Sequence, residues 1–152
     1  MEHRRRWRVA DGLVALCGLW AVGLGVYFIF MRPALLPEDA RYMGADIQAL
    51  QAVAPRLAAW LDKVFVVMGG FMAGLGSLTL YFAWKVLPLR LPGTFAALVL
   101  TGAISVALMS AVNFALNSDF KWLLVLPPIA WAIAVSLLAT EAHSHRADPK
   151  NP

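Results

Sequence analysis

Cysteine is all but missing from this 152-residue chain, in which Cys17 stands alone. A single thiol excludes an intrachain disulfide and any Cys-x-x-Cys redox pair. Its place inside an apolar run reads as a small buried hydrophobe. Charge is scarce too. Asp, Glu, Lys and Arg make up 14% of the residues, against roughly 25% in a soluble domain. Histidine is confined to the two ends, at His3, His143 and His145. That excludes a His-Glu-x-x-His zinc motif and a Ser/His pair within the apolar interior. A phosphate-cradling glycine loop and a nucleophile elbow are lacking as well. No carboxylate falls in the middle of an apolar run, which weighs against proton coupling through one chain.

What the chain has is apolar length. Four uncharged runs, Gly12–Met31, Val64–Trp84, Thr94–Leu116 and Trp122–Thr140, fill over half of it. Each matches the roughly 20 residues that a helix needs to cross about 30 Å of hydrocarbon. This composition excludes a soluble globular enzyme, a disordered chain, a nucleic-acid-binding domain and a disulfide scaffold. It predicts an all-α fold: a four-helix transmembrane bundle, one membrane domain over residues 1–152. The predicted spans are 9–31, 58–87, 93–116 and 120–140, followed by a polar tail at 141–152. The first run is too long for the core of a signal peptide and reads as a retained span.

Between the first and second spans lies the longest connection, Arg32–Lys63. Leu36-Pro37-Glu38-Asp39 has the form of a helix start, with proline in the first turn and acids near the positive end of the dipole. Gly44 closes that turn and Asp46 begins another. Ile47, Leu50, Ala54, Leu57 and Leu61 then make one apolar stripe at helical period, broken by Pro55. The segment is amphipathic, suited to lying in the membrane interface or capping the bundle. Pro127-Pro128 predicts a kink in the fourth span.

Cations flank the spans instead of forming one basic surface, so the net charge of +4 speaks for lipid headgroups and against nucleic acid. An even number of spans puts both ends on one side. The tails and the second connection carry eight Lys and Arg, the opposite side five. The bias places both termini in the cytoplasm of a bacterial inner membrane.

Three groups of residues are candidates for more than span formation. Small residues recur at Gly70-x-x-x-Gly74, with Ala73-x-x-x-Ser77, at Ala21-x-x-x-Gly25, and in the stripe Ala103, Ala107, Ala111, Ala115. Such spacing lets helix backbones approach closely, within one bundle or at a dimer face. Thr101, Ser105 and Asn113 form a polar line on the third span. It is either a cavity lining or hydrogen bonding between and within helices. Glu38, Asp39, Arg41 and Asp62, with Asp46, are charges at the end opposite the termini, suited to gathering at an outer cleft. Asp62 is also placed to approach Arg32 or Arg56 and tie the long connection down, or to accept a proton or cation at a cavity mouth. Asp11 lies three residues after Arg8, as a local ion pair would. Glu141, His143 and His145 share no backbone conformation that presents all three to a metal. No catalytic residue, cofactor or metal site is assigned.

Leu36-Pro37-Glu38-Asp39-Ala40-Arg41-Tyr42-Met43-Gly44, just after a first span, resembles small uncharacterised bacterial inner-membrane proteins in which a Leu-Pro-x-Asp-x-x-x-x-Gly segment opens a long first loop. Their glycine-rich second span is matched by Val66–Gly76. Leu61-Asp62-Lys63 stands where those proteins carry His-Asp-Arg. The resemblance implies four helices and brings no reaction. The sequence therefore predicts a non-enzymatic membrane protein packing with itself, a partner subunit or lipid. The alternatives are a transporter or channel-like component formed on oligomerisation, using Thr101 to Asn113, and an enzyme acting on an amphiphile at the outer interface.

Overall fold

The computed structural model describes residues 8–147. Of the described residues 83% are helical, and none lies in a strand. The cluster Arg4, Arg5, Arg6, together with His3, Lys150 and the side chains of His143, His145 and Arg146, lies outside that description.

Helix α1, Val9–Phe30, is the first span. Short helices α2, Pro37–Met43, and α3, Ile47–Val53, occupy the long connection. Gly44 ends α2 in the left-handed conformation at φ 66°, a backbone that glycine adopts without a Cβ penalty. The chain breaks at Ala54 and Pro55, and α4, Leu57–Tyr81, starts the second span. That span continues through a π turn, Phe82–Val86, and a 3-10 turn, Leu87–Leu89. The third span is α5, Thr94–Gly102, a π turn at Ala103–Ala107, and α6, Leu108–Ala115. The fourth is α7, Lys121–Leu124, and α8, Leu126–Ala147. Four of these helical stretches are long and apolar enough to cross a membrane, and the fold is that of an all-α, multi-pass membrane protein.

Two local readings change. Pro127 and Pro128 do not kink a continuous helix; they sit in the first turn of α8. There the missing N–H groups would have had no intrahelical partner in any case. Helix α8 also runs past residue 140 to Ala147, so the start of the expected polar tail is helical.

Packing runs in a row: span 2 against span 1, span 1 against span 4, span 4 against span 3. The first pairing dominates and is antiparallel. Its register is set by glycines seven residues apart, Gly18 with Gly76 and Gly25 with Gly69. A Cβ on Gly25 would stand 2.5 Å from the Ala73 nitrogen, and one on Gly76 2.6 Å from the Val22 nitrogen. Seven residues is nearly two helical turns, so each pair stays on one face. Lipid tails give helices no hydrophobic reason to associate, and close backbone approach supplies the dispersion contact instead. Gly70 and Gly74 take no part. They are exposed, and a Cβ on either would meet nothing within 4 Å. Within this chain the tight contact is made by their neighbours Gly69 and Gly76.

The buried core lies toward the end that carries the termini, here the terminal end. Ala10, Val14 and Cys17 of span 1 meet Ala83 and Leu87 of span 2, Leu98 of span 3, and Trp131, Ala134 and Leu138 of span 4. The Cys17 thiol donates to the Pro127 carbonyl at 3.5 Å. The Trp131 indole donates to the Leu98 carbonyl at 2.9 Å and packs against Gly102, where any Cβ would collide with it.

The two glycine faces give opposite expectations. Gly25→Val or Gly76→Val should destabilise the isolated chain by about 1–3 kcal/mol, the usual range for overpacking. Gly70→Val and Gly74→Val should leave it unchanged. Thermal unfolding followed by circular dichroism in detergent compares them directly.

Candidate functional site

At the far end from the termini, α2 lies across the turn between spans 3 and 4. The hydroxyl of Ser118 donates to both Glu38 carboxylate oxygens, at 3.0 and 3.2 Å, and the Asp119 N–H donates to Oε2 at 2.8 Å. Arg41, one turn along α2, pairs with Asp119 at 2.8 Å. Ser118 is buried, and its Oγ also accepts from the Phe120 N–H. Asn117, at φ 51°, makes the sharp reversal that aims these groups at α2. Of the four charged candidates, Glu38 and Arg41 thus meet on one turn. Asp39 instead caps its own helix, accepting the Leu36 N–H at 2.8 Å and facing Arg32 at 3.4 Å. Asp62 does not reach Arg32, which goes to Asp39; it pairs instead with its neighbour Lys63. The Arg32 guanidinium lies 3.5 Å from the ring centre of Phe65 and 5.3 Å from that of Phe28, a cation–π stack joining spans 1 and 2. Asp46 holds the first position before α3 but makes no side-chain cap. Helix α2 therefore ties the bundle closed at this end, while α3 packs chiefly on span 2.

The polar line of span 3 is turned onto its own backbone. Ser105 donates to the Thr101 carbonyl, and Asn113 to the Met109 carbonyl at 2.9 Å. Ser and Thr in membrane helices commonly bond back in this way. Thr101 also borders a groove of about 100 Å³ between spans 2 and 3. Leu75, Thr79 and Phe82 form one wall, Ala97 and Thr101 the other, and Trp131 the floor. Ser105 and Asn113 do not line it. The stripe Ala103, Ala107, Ala111 and Ala115 is exposed along its whole length.

The terminal end holds the densest polar arrangement among the described residues. Asp11 is fully buried. It accepts the Arg8 N–H at 3.2 Å and pairs with the Arg90 guanidinium at 3.0 Å. Arg90 also reaches Glu141 at 3.0 Å and the Leu87 carbonyl at 3.0 Å. The Arg8 guanidinium goes to Glu141 at 2.6 Å. The expected local pair of Arg8 with Asp11 is thus replaced by a crossed set, in which Asp11 takes only the Arg8 backbone. Two acids and two arginines join span 1, the connection after span 2, and span 4. Arg90 occupies the left-handed region at φ 50°, which costs a non-glycine residue about 1 kcal/mol. A buried carboxylate needs its counter-charge. Removing one partner of such a pair costs on the order of 3–5 kcal/mol, enough to hold Arg90 in that conformation. The signal was present in the sequence: an even number of spans brings Asp11, Arg90 and Glu141 to one end.

Comparison with protein families, with curated proteins and with solved structures finds no match to this chain. The fold and its end ties define a four-span, all-α membrane protein held shut at both ends.

The Glu38 contact has a local readout. Glu38→Ala should speed amide exchange at Asp119 and Phe120, while exchange in α1 stays unchanged. Hydrogen–deuterium exchange with mass spectrometry in detergent measures both.

Proposed function

We propose that this is a non-catalytic bacterial inner-membrane protein, both termini cytoplasmic, whose work is assembly with a second copy of itself inside the bilayer. One observation carries the reading. The bundle closes its own tightest contact with Gly18, Gly25, Gly69 and Gly76, and leaves two further small-residue faces outward. These are Gly70 and Gly74 on span 2, and Ala103, Ala107 and Ala111 on span 3. Small outward faces on apolar helices let another helix approach to backbone distance. The far-end charges support the same reading, because Glu38 and Arg41 share one structural tie, Asp39 and Asp62 each serve another, and the four do not converge on one cleft. The excess of Lys and Arg at the terminal end supports the orientation.

Native mass spectrometry in mild detergent, with cysteine cross-linking in vesicles, tests the reading. The unaltered chain should give an oligomer, and Gly74→Leu with Ala107→Leu should give monomer at native helicity. A chain that is monomeric throughout, or an oligomer indifferent to both substitutions, overturns it.

A further inference from the structure

We infer that the Arg90 connection is a latch: its paired contacts with Asp11 and Glu141 set the width of the groove between spans 2 and 3. The inference is independent of self-association.

Spans 2 and 3 are joined by a short connection, yet each packs chiefly on a different helix, span 2 on span 1 and span 3 on span 4. Outside the terminal core, where Ala83 and Leu87 share a cluster with Leu98, their separation is therefore set chiefly by other contacts than their own. The connection between them has little regular backbone to fix it either. It passes from a π turn through a 3-10 turn to Arg90 and then Gly93, both in the left-handed region. Two things pin it. Leu87 is fully buried in the terminal core. The Arg90 guanidinium grips Asp11 with one nitrogen and Glu141 with the other.

The structure holds the grip in its clasped arrangement. Asp11 is enclosed at 0% exposure, so the guanidinium cannot leave without the carboxylate gaining water or a new partner. Clasped, the end is dry at Asp11; released, both charges are wet. Glu141 and Arg8 form the water-facing edge, with side chains 29% and 42% exposed, and release starts there. The groove begins close by. Phe82 opens the π turn that leads into the connection, and Ala97 lies one turn into span 3. A swing of the connection moves both walls directly.

The test uses the full chain in lipid nanodiscs, with Cys17→Ala and nitroxide labels on cysteines placed at Leu78 and Ala97, both exposed beside the groove. Continuous-wave electron paramagnetic resonance reads their dipolar broadening. With the latch intact, broadening is strong. Arg90→Gln removes both ion pairs from one side, and Asp11→Asn with Glu141→Gln removes them from the other. Each should abolish most of the broadening while helicity by circular dichroism is unchanged. Broadening equal to that of the parent, in whichever variant keeps native helicity, overturns the latch. So does loss in the parent itself. A role confined to stability would lower the unfolding temperature without moving the labels.

Discussion

Helices in hydrocarbon gain nothing from hiding apolar side chains from one another, because lipid is as apolar as leucine. What holds them is surface fit and the settlement of polar groups. In this protein the fit is concentrated between α1 and α4, where Gly18, Gly25, Gly69 and Gly76 bring two backbones into direct contact. That antiparallel pair is the platform. Span 4 docks on its span 1 side through Cys17 and Val14, and span 3 reaches the platform mainly by way of span 4, through Trp131 against Leu98 and Gly102. A methyl group on any of the four platform glycines pushes on everything above it.

Polar settlement happens at the ends. At the terminal end, charges cross between three segments around a buried carboxylate. At the far end, Glu38 and Arg41 draw α2 over the turn between spans 3 and 4. The middle contributes hydroxyls and an amide that bond to their own helices. The division follows from solvent. A charge near the headgroups has water to fall back on, whereas one at mid-depth has none.

The four spans were legible because length and apolarity are properties of a run, and a run can be read without knowing its neighbours. Helix α2, Pro37–Met43, was legible for a similar reason, as its start and its Gly44 stop are local signals. The packing face was not. Gly70-x-x-x-Gly74 satisfies a spacing rule, but spacing does not say which side of a helix turns inward. Gly69 and Gly76 were in the same stretch and are the ones that face α1. The partner of Asp11 was hidden by distance along the chain, since Arg8 is near in sequence and Arg90 is near in space. The π turns left no mark that periodicity can detect, although the one at Ala103–Ala107 shifts the facing of every residue after it. Of the candidate site residues, Glu38, Arg41 and Thr101 lie where a contact or groove exists, and Ser105 and Asn113 answer to their own backbone.

The one-sided core has a mechanical consequence. Among the described residues the buried apolar core sits toward the termini, and beyond Cys17 the helices meet through glycine contacts, the Phe28–Phe65 and Phe114–Trp122 ring edges, a cation–π stack and the α2 strap. Pulled from the long connection, the molecule would yield in stages, shedding α2 first and then peeling span 2 from span 1. Pulled from its two ends, it would resist as one block, because the load falls at once on Leu87, Val14 and Ala134.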